Sequence, residues 1–244
     1  MIIDCHAHIG RGEMLNDVFQ IDCTPERILY LMDKAKVNKT LLFPVTYKDY
    51  RKPNEKIAEL VQKNKRFLGF GRVKINSPDV AGQIKYAIKD LNLSGIKFHP
   101  NDGFPTREAM DAVRELKVPV LAHSGMGLSP VLFEGLIQSY PDVNIILAHL
   151  GIELDWSKMF SSPLQAFYLA RKYKNVYLDT AAATWIQPIL EQAVQEAGAD
   201  KILFGTDAPW FYPAIIMAGI NDLEISREDK NKILGGNIAK ILKI

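Results

Sequence analysis

Two imidazoles stand two residues apart near the start of the chain, His6 and His8 in "MIIDCHAHIG", directly behind the apolar run Met1, Ile2, Ile3. Side chains alternate faces along a β-strand, so a strand here turns His6 and His8 one way and Cys5 and Ala7 the other. Two neutral imidazoles on one face can share a metal ion. Such a pair also arises by chance in surface turns, so its meaning depends on where the other histidines fall. The chain holds five in all, His6, His8, His99, His123 and His149, and "GTDAPW" adds Asp207.

What must position them is a repeating unit. Short β-rich runs occur near residues 2–5, 40–45, 67–73, 95–98, 118–122, 143–148, 176–179 and 201–205, about 28 residues apart on average. Between them lie segments of helical period such as "TPERILYLMDKAK", "PNEKIAELVQKNK", "PDVAGQIKYAIKDL" and "SPVLFEGLIQSY". Thr or Ser followed by Pro at a segment start supplies an N-cap and a first-turn proline. Runs such as "VNIILAH" and "PVLAHS" are almost wholly apolar, as strands buried on both faces are, and helices rather than hairpins separate them. Alternating strand and helix implies an α/β fold with a parallel sheet, and eight units in this length imply a closed (β/α)8 TIM barrel, a single domain over residues 1–244.

Every histidine then falls at the C-terminal end of a strand: "HAH" after the first, "IKFHP" after the fourth, "LAHSG" after the fifth and "LAHLG" after the sixth, with Asp207 just beyond the eighth. A lone histidine after a strand is most often a satisfied polar residue. Five together, with none on the helices, converge on the rim where such barrels carry their active sites, and point to a metal centre.

The composition narrows the partners. The 244 residues are 48% hydrophobic and 24% charged, ordinary for a soluble globular chain, and the net charge of +2 is scattered, so no nucleic acid partner is expected. Cys5 and Cys23 are the two cysteines and form no CxxC, which argues against a disulfide framework and for a reducing, cytoplasmic setting. The opening residues lack an apolar signal core and no run approaches the ~18 residues of a membrane span, so no membrane association is expected.

The segments "IDCHAHIG", "GIKFHP", "LAHSG", "LAHLG", "LFGTDAPW" and "ILGGNIAKIL" together resemble the amidohydrolase superfamily, in its amidohydrolase 2 branch of metal-dependent hydrolases and decarboxylases. The resemblance implies that His6, His8, His123 and Asp207 hold a divalent metal. It also implies that His149 orients water or acts as general acid or base, that His99 contacts substrate, and that the chain forms a homodimer. Three nitrogens and one carboxylate oxygen suit one Zn²⁺ best, with Mn²⁺, Fe²⁺ or Co²⁺ as other occupants. A metal-bound water reaches a pKa of about 7, and Asp207 could both ligate and take its proton.

Other residues stay open at this level. Lys97 shares a face with His99 and reads either as a carboxylated bridge between two metals or, preferably, as the charge partner of a buried acid, with Asp4 as the candidate. Arg72 reads as a substrate-carboxylate contact or as a structural ion pair. Trp210 and Phe211 shape the pocket or join the core, and Glu13 reaches the metal or stays solvated. The first expectation for function is hydrolysis of an amide, ester or lactone in a small-molecule substrate by metal-activated water. The alternative is decarboxylation of an aromatic or unsaturated acid on the same ligands, followed by a metal-dependent nuclease and by a binding protein on an enzyme scaffold.

Overall fold

A computed structural model of the chain describes residues 1–11, 21, 23–153, 161–183 and 187–244. Eight parallel strands follow one another among these residues. They are β1 (Ile3–Ile9), β2 (Lys39–Pro44), β3 in two pieces (Phe67–Gly69 and Gly71–Arg72), β4 (Ile96–Phe98), β5 (Val120–Ala122), β6 (Ile145–Leu147), β7 (Val176–Asp179) and β8 (Ile202–Leu203). Neighbours in sequence are neighbours in the sheet, with β3 handing over from one ladder to the next at Phe70. The ring closes between the ends: Cys5 N donates to Phe204 O at 2.9 Å and Asp207 N to His6 O at 2.8 Å. This is the expected (β/α)8 barrel.

Helices cover the outside. The first, α1 (Pro25–Ala35), starts as its sequence dictates: Thr24 Oγ1 accepts from Arg27 N, and Pro25 occupies the first turn. Thr106 caps α4 (Arg107–Leu116) in the same manner, accepting from Ala109 N. The remaining major outer helices are α2 (Arg51–Lys63), α3 (Val80–Lys85), α5 (Glu134–Ser139), α6 (Ser161–Lys172), α7 (Gln187–Ala197) and α8 (Pro213–Asp222). No helix among the described residues is long and apolar enough to cross a membrane.

Two apolar clusters result. The larger lies between strands and helices and includes Ile28, Met110, Ile145 and Ile220; the smaller fills the barrel with Ile3, Cys5, Leu41, Phe43, Phe70, Leu121, Ile146 and Leu203. Ile238 and Ile241, on the terminal helix α9–α10 region spanning Arg227–Asn231 and Asn237–Leu242, join the inner cluster. The interior below the rim is therefore solid, and chemistry is confined to the strands' C-terminal ends.

Strict alternation fails at one place. The pairing of β1 with β2 shifts register between Asp4 and Ala7, where one extra residue is accommodated on β1. As a result Cys5 joins the inner cluster and Ala7 the outer one, although simple alternation puts them on one face. His6 and His8 nonetheless converge on Asp207.

Candidate metal centre

Asp207 is the meeting point of the two histidines of β1. Its Oδ1 lies 2.9 Å from His8 Nε2 and 3.2 Å from His6 Nε2. All three residues are buried, and one ligand atom from each falls within 4.8 Å of the others. Burial alone raises a carboxylate's pKa, but the imidazoles outweigh it and hold Asp207 well below the usual range. The backbone of Asp207 is left-handed, with φ of 64°, a conformation costing a non-glycine residue about 1–2 kcal/mol. Its N–H is tied to the carbonyl of His6, so the local strain is held by the same strand that supplies its partners.

A second carboxylate, Asp179 at the end of β7, sets the orientation of His6. Asp179 Oδ2 lies 2.8 Å from His6 Nδ1, and Oδ1 accepts from the backbone N–H of His149 and Ala181 at 2.9 and 3.0 Å. An imidazole whose Nδ1–H is fixed by a carboxylate presents a bare lone pair at Nε2. Burial and Lys97 push the pKa of His6 down, but Asp179 and Asp207 more than compensate and leave it raised. Two carboxylates thus favour an extra positive charge at the position between Nε2 and Asp207.

His8 behaves oppositely, since burial pushes it down to about 3 against the pull of Asp207. It carries one proton at neutral pH and has two buried nitrogens, of which Nδ1 has no hydrogen-bond partner among the described residues. These features fit a divalent cation: neutral imidazole nitrogens and a deprotonated carboxylate converge, and the charge balance is completed by a positive ion.

Across the rim, His149 Nδ1 donates to Ala181 O at 3.0 Å, which leaves Nε2 unprotonated in the neutral ring. That Nε2 stands 3.1 Å from His123 Nδ1, so the contact is made by a single proton on His123 or by a cation lying against both nitrogens. Burial holds His149 down to about 4 and, with the neighbouring His149 and His99, holds His123 well below its ordinary value. His149 also has a left-handed backbone, φ 63°, stabilised by its N–H bond to Asp179. The His99 ring centroid lies 4.6 Å from that of His123, and Trp210 covers His8 with its ring at 4.2 Å. His6, His8 and Asp207 therefore form one tight group, whereas the nearest contacts of His123 are to His149 and His99.

Lys97 and Asp4 do not pair. Lys97 is buried with its Nζ 3.5 Å from His6 Nε2 and 4.8 Å from the centre of the Phe43 ring, and burial pushes its amine down to about 7 against the attraction of Asp179 and Asp207. Asp4 is instead captured by Thr206, whose N–H and hydroxyl donate to it at 3.1 and 2.6 Å, and by His6 N at 3.0 Å. Burial raises Asp4 to about 7 despite these bonds. The bulge after Asp4 is the reason that counting by twos assigned it the wrong partner.

Arg72 has the geometry of an ion pair. It is completely buried, with Nε 2.7 Å from Asp102 Oδ2, Nη1 donating to Pro44 O and Nη2 to Thr46 Oγ1. Glu13 lies outside the described residues. Sequence reasoning overlooked Asp179 and Thr206. An aspartate closing the apolar run "VYLD" on the very rim where the histidines gather was a usable signal for the first; nothing distinguished Thr206 from an ordinary strand-end threonine.

Comparison with known proteins agrees with this architecture. The amidohydrolase family model matches residues 3–244. A gamma-resorcylate decarboxylase of Polaromonas sp. strain JS666 is 25% identical over 88% of this chain and 79% of its own length. The solved dihydroxybenzoic acid decarboxylase of Polaromonas sp. JS666, with bound manganese and the inhibitor 2-nitroresorcinol, superposes with a TM-score of 0.75 at 21% identity, covering 99% of this chain and 96% of that one. An amidohydrolase from Burkholderia multivorans with bound HEPES gives a TM-score of 0.80 at 15% identity, covering 100% and 99%.

The decarboxylase relative overturns the first expectation, hydrolysis of an amide, ester or lactone, in favour of its alternative. The physical reason for the miss is that both reactions use the same histidines and aspartate, so ligand types alone could not separate them.

Proposed function

Because the chain belongs to the amidohydrolase family, matched across residues 3–244, we propose that it is a metal-dependent decarboxylase of a hydroxylated aromatic carboxylic acid. The observation that carries this reading is the convergence of His6, His8 and Asp207 within 4.8 Å on the rim of a barrel whose 25%-identical relative is a gamma-resorcylate decarboxylase. In this reading His6, His8, His123 and Asp207 hold the cation. When bound, the cation supplies the positive charge that draws the substrate's carboxylate and neighbouring hydroxyl oxygens to one place and fixes the ring's orientation. Imidazole and carboxylate donors suit zinc and manganese alike, and the Polaromonas structure with manganese makes that metal the first to try.

The chain's own residues then have distinct tasks. Asp179 keeps His6 turned to the cation through Nδ1. Trp210, its ring tilted over His8, offers the pocket an aromatic surface, and His99 lies near His123. Decarboxylation breaks the bond between ring carbon and carboxyl carbon, the electron pair stays on the ring, and a proton must arrive there. His149 is suited to relay it: its unprotonated Nε2 can take the proton that the substrate's hydroxyl gives up on binding and pass it to the ring carbon, while its Nδ1 stays anchored on Ala181. Asp207 adds a second site that can take up the substrate hydroxyl's proton on binding. The same reading takes residues 1–244 as one domain, a cytoplasmic setting for the thiols Cys5 and Cys23, and a homodimer as the assembly.

The test is a product assay. Purified protein, stripped of metal and reloaded with manganese or zinc, is offered a panel of hydroxybenzoates headed by gamma-resorcylate, beside a panel of lactones and amides. Release of CO₂ from a hydroxybenzoate, dependent on added metal, is the expected outcome. Acid release from a lactone or amide with no CO₂ from any aromatic acid would sink the proposal.

A further inference from the structure

Outside the histidine group, the rim carries a second buried cluster that the proposed reaction does not use directly. Asp102 is its hub: Oδ2 meets Arg72 Nε at 2.7 Å, Oδ1 meets Lys74 Nζ at 2.6 Å, and the Tyr50 hydroxyl reaches both oxygens at 2.9 and 3.0 Å. Asp102 ends a short 3₁₀ turn, Pro100–Asp102, that His99 itself caps. Its backbone is pinned at both ends, with Asp102 N donating to His99 O at 2.9 Å and its own carbonyl accepting from Ile75 N at 3.0 Å. Arg72 reaches the turn by a second route: Nη2 donates to Thr46 Oγ1 at 2.9 Å, and the Asn101 side-chain amide lies 3.5 Å from the same oxygen.

What this cluster holds in place is a single backbone N–H. Asn101 N donates to His99 Nδ1 at 3.2 Å. A ring nitrogen that accepts from a backbone amide carries no proton, so neutral His99 bears its proton on Nε2. The ring edge opposite the turn is consequently a donor. That differs from His6, whose Nδ1–H is bound by Asp179 and whose Nε2 is bare.

We propose that Asp102, with Arg72, Tyr50 and Thr46, is a positioning clamp that locks His99 in its Nε2–H form, making His99 a hydrogen-bond donor to an anionic oxygen of the substrate and excluding it from the metal's ligands. The identity of that oxygen, on the carboxylate or hydroxyl of a hydroxybenzoate, rests on the decarboxylase reading; the lock itself does not. Arg72 and Lys74 against Asp102 leave one positive charge over, which favours an anion beside His99. Arg72 and Asp102 are fully buried against each other, so the clamp acts through the turn as a set of positioning residues, with His99 as the contact.

Two measurements test this. In protein labelled with ¹⁵N-histidine, two-bond ¹H–¹⁵N correlation spectra assigned with His99→Ala should show His99 as a pure Nε2–H tautomer. Tyr50→Phe, which removes one hydrogen bond to Asp102 and keeps the ring, should give a mixture, as should Thr46→Val. In steady-state assays with gamma-resorcylate, Tyr50→Phe should raise KM about fivefold with kcat little changed, and should add nothing in a His99→Ala background. An Nδ1–H tautomer in the parent protein, or full additivity of Tyr50→Phe and His99→Ala, would overturn the clamp. If no hydroxybenzoate is turned over, the decarboxylase reading fails while the spectra still decide the clamp.

Discussion

The two polar clusters of this rim solve the problem of buried charge in opposite ways. Around Asp102 the one carboxylate is shared by Arg72 and Lys74, Tyr50 donates to it, and Pro44 O and Thr46 Oγ1 accept from Arg72. Around Asp207 the compensation is incomplete: three imidazoles are held neutral by burial, His8 Nδ1 has no partner among the described residues, and two carboxylates press positive charge onto His6. A closed cluster rigidifies its surroundings; an open one invites a ligand. Electrostatic incompleteness, rather than the number of polar groups, is what marks the binding centre.

The contrast can be broken most forcefully at Asp207. Asp207→Ala should reduce bound metal, measured by elemental analysis, from near one per chain to a small fraction, and lower turnover by about 10³-fold or more. Full metal occupancy in that variant would remove Asp207 from the ligand set. The mirror experiment is Asp102→Ala, which leaves Arg72 buried without its carboxylate. It should cost about 3–5 kcal/mol in urea unfolding while metal content per folded chain stays the same. A variant that lost metal and kept its stability would reverse the assignment of the two clusters.

Smaller effects sharpen the picture. Asp179→Asn should weaken metal binding by about 10–100-fold in chelator competition, because the His6 ring loses the carboxylate that orients it. Unchanged affinity would mean that His6 is positioned by packing against Phe43 instead. Last comes pH. In metal-free protein, His8 at about 3, His149 at about 4 and the depressed His123 bind protons less readily than in the unfolded chain, where histidine titrates near 6.5. Below that value the unfolded state takes up more protons, so these three make stability fall as pH drops from 6.5 toward 4, by about 1.4 kcal/mol per pH unit for each neutral imidazole. His99, also depressed by burial, adds to this trend, whereas His6, raised, and Asp4, raised to about 7, work in the opposite direction. Urea midpoints of apo-protein at pH 7 and pH 5 check the balance, and a higher midpoint at pH 5 would refute it.

How much of this could be read beforehand depends on the range of the forces involved. Strand positions were legible because burial on both faces writes itself into runs such as "VNIILAH". The gathering of His6, His8, His99, His123, His149 and Asp207 followed, since a parallel barrel brings all strand C-termini to one rim. What escaped is set by local geometry that residue types barely encode. The bulge between Asp4 and Ala7 leaves no glycine or proline as a marker, and it sent Asp4 to Thr206 instead of Lys97. The left-handed backbones of Asp207 and His149 are equally unmarked. The orienting role of Asp179 depends on which nitrogen of His6 it meets, and that is a matter of ring rotation.

The seam between the barrel's first and last strands has a consequence for biosynthesis. His8 and Asp207, whose side chains meet at 2.9 Å, are separated by 199 positions along the chain. A polypeptide emerging from the ribosome exposes its histidine pair long before the aspartate has been made, and no partial product carries the full set of donors. Under the proposed ligand set, the full group of donors is assembled only when the last strand docks on the first, through Asp207 N to His6 O and Thr206 to Asp4. In that reading a fully liganded metal reports completion of the ring.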